Sequence, residues 1–151
     1  MARRATPATD RIETLAEALH SASIQLLRRL RKEDAATGLS PARLSALSVV
    51  VFGGPLRISE LARAEQVKTP TMTPIVSALE AEGLIVRKAD AKDARASILS
   101  ATAKGQKLMA EGRARRIAKL AAQLRALPAS DRAVLEKAAV LLQKLTRERV
   151  L

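Results

Sequence analysis

The chain has 151 residues, which suits one ordinary domain or a small domain with helical extensions that a partner covers. Cysteine is absent, which excludes disulfides, thiolate metal sites and cysteine nucleophiles, and Phe52 is the only aromatic residue, so the core must be aliphatic. The formal charge of +12 favours a polyanionic partner such as nucleic acid, because cations placed against phosphates release counterions. The alternative is that the basic surface serves solubility alone.

The chain lacks the signals of membrane insertion and export. No apolar run approaches the ~18 residues that a spanning helix needs. Residues 1–10 hold two arginines but no apolar segment of the kind found in a secretion signal. These features predict a protein with no membrane partner that works in the cytoplasm.

Two helices are predicted in the first third of the chain. From Asp10 to Lys32 apolar residues recur at steps of three and four, which is typical of a long amphipathic helix, and Gly38 marks its end. Ser40 followed by Pro41 reads as an N-cap with proline at the first helical position. This second helix ends at the Gly53-Gly54-Pro55 breaker.

A helix-turn-helix is predicted next. The segment ISELARAEQ, with Ser59 as its N-cap, predicts one short helix, and KTPTMTPIVSALEAEGL predicts a second, which Gly83 ends. The second helix has two possible starts: Thr69 as cap with Pro70 first, or Thr73 as cap with Pro74 first. Because proline lacks a backbone N–H, the start of this candidate recognition helix should be irregular in either case.

The early residues of this helix are candidates for contact with DNA. They are short, polar or flexible side chains, suited to base edges, thymine methyl groups and phosphates. The predicted contacts are Lys68 on phosphate, with Thr69, Thr71, Met72 and Thr73 toward the major groove. The alternative for the threonines is local capping of the helix.

A β-hairpin wing is predicted after the helix-turn-helix. Its strands are residues 84–88 and 96–100, and residues 89–95 form a charged tip that contains Lys92, Asp93 and Arg95. Cationic side chains at such a tip are long enough to enter a minor groove. For Arg95, groove insertion oriented by Asp93 competes with a surface salt bridge to Asp93 or Asp90.

The C-terminal third predicts two further helices that carry more apolar surface than a small core can cover. The first runs from Ala101 to Leu127, and the second follows Pro128 with Ser130 as its cap. The first and last helices are therefore expected to pack against their copies in a homodimer. An intramolecular helical bundle in a monomer is the alternative.

Catalysis is not indicated. The single histidine, His20, lies in the first helix and is expected at a surface or an interface, and the acidic residues have ordinary helix-surface spacings. There is no phosphate-binding glycine loop and no metal-ligand cluster. We therefore predict neither an enzyme nor a bound cofactor or metal.

Residues 44–105 resemble the winged-helix core of the MarR family of bacterial transcriptional regulators. The resemblance is carried by ISELA, by TPTMTPIVSALEAEGLIVR, by Asp93-Ala94-Arg95 as the D-x-R wing motif, and by Thr102-Ala103-Lys104-Gly105 as the T-x-K-G step. The chain departs from the family at Pro74 and Ala101. The predicted fold is mainly α with a small β-hairpin wing (α+β). It is a winged helix-turn-helix at residues 40–105, flanked by dimerisation helices at 8–37 and 106–151.

The resemblance implies a homodimer that binds pseudo-palindromic operators in double-stranded DNA, usually as a repressor. It also implies release of DNA when a small phenolic or carboxylic effector binds between the winged core and the dimer helices. Candidate neighbours of that effector are His20, Arg43 and Phe52. The alternative functions are DNA packaging without sequence preference and binding of a protein partner.

Overall fold

The structure is a computed structural model that describes residues 7–90 and 93–147, with side chains described for residues 10–89 and 97–146. The N-terminal half begins with helix α1 and continues through a 3-10 helix and three further helices. These are α1 (Pro7–Arg31), the 3-10 helix (Lys32–Thr37), α2 (Pro41–Gly53), α3 (Ile58–Ala64) and α4 (Thr69–Ala81), with the short strand β1 (Leu56–Arg57) between α2 and α3. The remaining elements are β2 (Ile85–Asp90), β3 (Asp93–Ala101), α5 (Ala103–Arg125) and α6 (Ala129–Arg147).

The three strands form one antiparallel sheet in the order β1-β3-β2. Within it β2 and β3 make the hairpin, with Ile85 opposite Ala101 and Lys88 opposite Ile98. Strand β1 pairs with the other edge of β3 through Leu56 and Arg57. The predicted mainly α fold with a small β-hairpin wing is confirmed, and β1 adds a third strand that the sequence analysis did not anticipate.

An aliphatic core joins the helix-turn-helix to the sheet and to α5. It contains buried residues of α2, α3, α4, the turn after α4 and the strands, together with one residue of α5. These are Ala46, Leu47, Val50, Leu61, Ala62, Met72, Val76, Leu79, Leu84, Ile85, Leu99 and Met109. Because this core holds α4 along its whole length, the outer face of that helix is presented on a rigid support.

Several element ends differ from the sequence predictions. The wing tip is shorter than residues 89–95, because β2 extends to Asp90 and β3 begins at Asp93, with a register shift at Ala89/Asp90. Helix α3 is capped from Arg57, whose N–H donates to Glu60 Oε2 at 2.7 Å, and not from Ser59. Helix α6 begins at Ala129, so Ser130 lies inside its first turn. By contrast Ser40 caps α2 as predicted, accepting from the Arg43 N–H at 3.4 Å.

The T-x-K-G step fastens the C-terminal end of α4 to the start of α5. Thr102 caps α5 by accepting from the Gly105 N–H at 3.1 Å, and its hydroxyl donates to the Gly83 carbonyl at 2.7 Å. Lys104 Nζ donates to the Glu82 carbonyl at 2.6 Å. These bonds satisfy the carbonyl of the C-cap Glu82, which has no intrahelical partner, and the carbonyl of Gly83 in the turn that follows. The motif therefore fixes the direction of α4 relative to the long helix that follows the wing.

Helices α1 and α6 leave apolar side chains uncovered. On α1, Ile12 is 70% exposed and Leu15 is 59% exposed, and on α6, Val134 is 65% and Leu145 is 63% exposed.

Among the described residues no single helix is long and apolar enough to span a membrane. Residues 10–37 and 41–53, taken together as a pair bent by 91°, meet the same test of length and composition.

Candidate nucleic-acid interface

Helices α3 and α4 form the helix-turn-helix, with a tight turn between them. Gln66 takes a left-handed conformation in that turn, with a φ of 56°, and its N–H donates to the Arg63 carbonyl at 3.1 Å. The Val67 N–H donates to the Ala62 carbonyl at 2.9 Å, which closes the end of α3. The turn then places Lys68, in extended backbone, directly before α4.

Of the two predicted starts of α4, the structure has the earlier one. Thr69 is the first helical residue, Lys68 is the N-cap, and Pro74 lies inside the helix. Pro74 has no N–H to donate to the carbonyl of Pro70, so the first turn lacks one of its regular bonds. The Thr71 and Met72 N–H groups both donate to the Lys68 carbonyl, at 3.0 and 3.2 Å. The predicted irregularity of this end is therefore present, although Thr73 is not the cap.

The outer face of α4 is uncharged. The residues exposed along its length are hydroxyl-bearing, prolyl or alanyl: Thr69, Pro70, Thr71, Thr73, Pro74, Ser77 and Ala81. The only charged residue of the helix, Glu80, accepts from Arg87 Nε at 2.8 Å and is drawn toward β2. The predicted contacts Thr69, Thr71 and Thr73 are thus accessible to solvent.

Met72 does not belong with these residues. Its side chain is only 1% exposed and lies in the core with Val76 and Leu79. Residues four and seven positions apart share one face of a helix. Met72 therefore lies on the buried face with Val76 and Leu79, and not on the outer face. The predicted contact of Met72 with the major groove is therefore wrong.

Ser77 is an exposed residue that the sequence analysis missed. It lies one turn after Thr73 on the same face of α4. The i, i+4 spacing from Thr73 was the signal available in the sequence.

Exposed cationic side chains occur at the N-cap of α4 and on the neighbouring strand β2. Lys68 at the N-cap of α4 and Lys88 in β2 are both exposed. Arg87 is engaged with Glu80 and ties the first wing strand to α4. The arrangement offers point charges for phosphates beside a neutral surface for base edges.

The predicted wing contacts are only partly covered by the structure. Lys92 lies outside the described residues. Asp93 and Arg95 belong to β3, and their side chains lie outside the described part of the chain. Their roles in DNA binding remain predictions.

A second feature is a cavity of about 710 Å³ between the end of α1, the 3-10 helix, α2 and α5. It is lined by Leu27, Arg31, Asp34, Ala35, Leu39, Pro41, Leu44, Ser45, Ser48, Phe52, Met109 and Arg116. Arg116 Nη1 lies 3.0 Å from Asp34 Oδ1. Arg31, exposed at the end of α1, has no ion-pair partner within the described residues. The cavity therefore combines aliphatic walls with one uncompensated cation.

Of the three predicted effector neighbours, only Phe52 lines this cavity. Arg43 points elsewhere, because its Nη1 is paired with Glu82 Oε1 at 2.9 Å, near the C-terminal end of α4. His20 is exposed on α1, about two turns before Leu27, and is not a lining residue. Neither Arg43 nor His20 lines this cavity in the single chain, and their role as effector neighbours stays a prediction. No group of three or more potential metal ligands occurs in the described part of the chain.

Comparison with known proteins agrees with this geometry. The sequence pattern of the MarR family matches residues 39–97. An HTH-type transcriptional regulator of Mycobacterium bovis is 32% identical over 134 residues, which cover 89% of this chain and 94% of the relative. The chain belongs to the MarR family. Its members are transcriptional regulators that bind DNA through the helix-turn-helix and are not enzymes, so the predicted family and the absence of an enzymatic role are confirmed.

Solved structures of the same fold match nearly the whole length of this MarR-family chain. A transcriptional regulator of Thermotoga maritima is similar with a TM-score of 0.80 and 26% identity, covering 88% of this chain and 94% of the other. A protein of Pseudomonas aeruginosa has a TM-score of 0.76 and 32% identity, covering 92% and 98%. The similarity thus extends beyond the winged core into the flanking helices.

Proposed function

We propose that this MarR-family protein is a sequence-specific regulator of transcription that binds pseudo-palindromic operators as a homodimer, acts as a repressor and works in the cytoplasm. The observation that carries the proposal is the uncharged outer face of α4, which the core holds and which begins directly after the exposed Lys68 at the N-cap. In this proposal Thr69, Thr71, Thr73 and Ser77 face the major groove. Lys68 contacts phosphate, and the wing with Lys92, Asp93 and Arg95 reaches the minor groove.

A protein of the same fold supports the use of this surface. The F27L mutant of MepR from Staphylococcus aureus, with a TM-score of 0.69 and 16% identity, is bound to an oligodeoxyribonucleotide. At this identity the likeness is one of fold. The contacts of the present chain are therefore proposed from its own exposed residues.

The dimer is proposed from the uncovered apolar faces of α1 and α6. Leu141 and Leu145 of α6 are 60% and 63% exposed, and Ile12 of α1 is 70% exposed. Burial of apolar surface gains roughly 25 cal/mol per Å², so these stripes favour association with a second copy. A two-fold dimer would set two α4 helices about one DNA turn apart, ~34 Å, which matches a pseudo-palindrome.

An effector is proposed for the cavity between α1, α2 and α5. Its aliphatic walls, Phe52 and the cation of Arg31 suit a small carboxylic acid with an apolar or aromatic body. NadR, a protein of the same fold at 23% identity, is in complex with 4-hydroxyphenylacetate. Because the cavity lies where α1 and α5 meet the winged core, a bound effector could alter the separation of the two α4 helices.

Selection from a random-sequence duplex library, followed by fluorescence anisotropy across a salt series, tests the function. We expect an enriched pseudo-palindromic duplex that binds at least ~10³-fold more tightly than its scrambled version, with affinity falling steeply as salt rises. Equal affinity for both duplexes would instead indicate DNA packaging. Binding to neither would indicate a protein partner.

Replacement of Arg95 by Ala tests the wing. If Arg95 enters the minor groove, we expect operator binding to weaken by ~1 to 3 kcal/mol, measured by anisotropy at fixed salt. Lys119→Ala, in α5, removes the same charge from an exposed residue outside the proposed contacts and serves as control. An unchanged operator affinity in Arg95→Ala would remove the wing arginine from the mechanism.

A thermal unfolding screen tests the effector. A ligand at one hundred times its dissociation constant stabilises the folded state by ~2.7 kcal/mol, so a matching aromatic carboxylic acid should raise the unfolding temperature by about 5 °C or more. Arg31→Gln should diminish that shift, whereas Arg28→Gln, an exposed arginine of α1 that does not line the cavity, should retain it. No shift with any acid of the panel would contradict an effector of this class.

A further inference from the structure

The outer face of α4 lacks the side chains that usually read guanine and adenine. Arginine and lysine recognise guanine, and asparagine and glutamine recognise adenine, through paired hydrogen bonds in the major groove. None of these residue types occurs in Thr69–Ala81. Glu80 is the one residue that could accept a hydrogen bond from cytosine through a carboxylate, and it is paired with Arg87 at 2.8 Å.

The hydroxyl groups of this face are partly committed to the helix itself. Thr73 Oγ1 donates to the Thr69 carbonyl at 3.0 Å. Its hydrogen is therefore used within the helix, and what it offers to a ligand is a methyl group and an acceptor. The rings of Pro70 and Pro74 lie one turn apart and offer only C–H surface.

The exposed stripe of Pro70, Thr73, Pro74 and Ser77 is thus a mainly apolar surface placed where a base edge is expected. The feature of the major groove that fits such a surface is the C5 methyl group of thymine. The exposed cationic side chains nearest in sequence and fold, Lys68 at the N-cap of α4 and Lys88 in β2, are not part of the stripe. The stripe itself contains no cationic residue that could bind a base by hydrogen bonds in place of an apolar contact.

We infer that α4 reads its operator by contact of this stripe with thymine methyl groups, so that the part of each half-site facing α4 is rich in A·T pairs. This inference rests on the proposed function, because it requires that α4 enters a major groove. It assigns Thr73 and Pro74 as specificity-determining residues. A base pair without a thymine methyl group would then be disfavoured because an apolar contact is lost. It would not be disfavoured by leaving a hydrogen-bonding group of the protein unpaired.

The test compares the selected duplex with the same duplex carrying deoxyuridine in place of every thymidine, which removes only the methyl groups. Each buried methyl group is worth about fourfold in affinity, so two or more such contacts should weaken binding by about tenfold or more. Thr73→Ser removes one methyl group from the protein and keeps the hydroxyl, and it should reduce the thymine-to-uracil ratio about fourfold.

The matched control is Thr14→Ser. Thr14 lies on α1, is exposed, and donates to the carbonyl four residues earlier at 2.8 Å, as Thr73 does. The ratio should be unchanged in Thr14→Ser. It should also be unchanged in Arg95→Ala, which is expected to weaken both duplexes equally if the wing contacts the backbone and minor groove.

Each outcome decides between the inference and the proposed function. A large ratio in the native protein that falls in Thr73→Ser supports methyl reading by α4. Equal binding of the two duplexes, or a ratio unaffected by Thr73→Ser, overturns the inference while operator binding itself stands. Failure to select any duplex overturns the proposed function and the inference with it.

Discussion

Replacement of Gly105 by Ala should destabilise the protein by about 3 kcal/mol or more. Gly105 is buried where α5 begins, and an added Cβ would overlap the carbonyl oxygen of Leu84 and come within 3.3 Å of Leu47 Cδ1. A backbone carbonyl cannot move aside as a side chain can, since the N–H of Thr102 also donates to it at 3.1 Å. Overpacking at such a site usually costs 1–3 kcal/mol, and the rigid neighbour places this case at the upper end.

The measurement is thermal or denaturant unfolding at equal protein concentration, because association would shift the apparent stability. For a chain of this length the expected loss corresponds to a fall of about 10 °C in the unfolding temperature. Gly112→Ala in the same helix is the matched control. There an added Cβ meets nothing nearer than Arg115 Nη2 at 3.7 Å, so the variant should be neutral or up to ~1 kcal/mol more stable. Equal behaviour of the two variants would contradict the close approach at Gly105.

The second large effect is expected from a charge placed on the apolar face of α6. In Leu141→Glu the carboxylate would be buried in the proposed dimer interface without a partner, at a penalty of several kcal/mol. Leu141 is 60% exposed in the single chain, so its replacement should leave the fold of the chain intact. We therefore expect a chain of monomeric mass that remains helical and loses operator affinity about 100-fold or more, because two linked contacts become one.

Gln143→Glu introduces the same carboxylate two residues away, on the opposite side of α6. This control should remain dimeric and bind the operator as the native protein does. The measurements are light scattering for mass, circular dichroism for helix content and anisotropy for DNA binding. A dimeric Leu141→Glu protein with native affinity would exclude α6 from the interface, and a monomeric native protein would exclude the dimer altogether.

The sequence was most informative where a feature depends on local chemistry. Ser40-Pro41 specified the start of α2, and Gly83 lies at the end of α4 with a φ of 68° that L side chains rarely adopt. Within α4, Val76 and Leu79 recur at helical spacing, which agrees with their place in the core. The order of elements and the quoted motifs then led to the family, which the comparisons confirm.

Prediction from sequence was weaker where a strand forms only by pairing with a neighbouring strand. Strand β1 is only Leu56–Arg57, too short for an alternating pattern, and it exists because β3 offers a free edge opposite Leu99 and Ile98. The wing strands extend toward the tip because their backbone groups can pair across the hairpin, whatever the charge of residues 89–95. Such pairing depends on the partner strand and leaves little trace in local composition.

The sequence by itself therefore determined the helix-turn-helix and the family, since both depend on periodicity, caps, breakers and motifs that act within one segment. Only the tertiary structure decided that Met72 is buried against neighbouring elements and that Glu82 binds Arg43. It also showed why the T-x-K-G step matters, because Thr102, Lys104 and Gly105 act on the backbone of residues 82–84. Contacts between segments far apart in the chain depend on how helices pack, and periodicity within one helix cannot specify which neighbour it will meet.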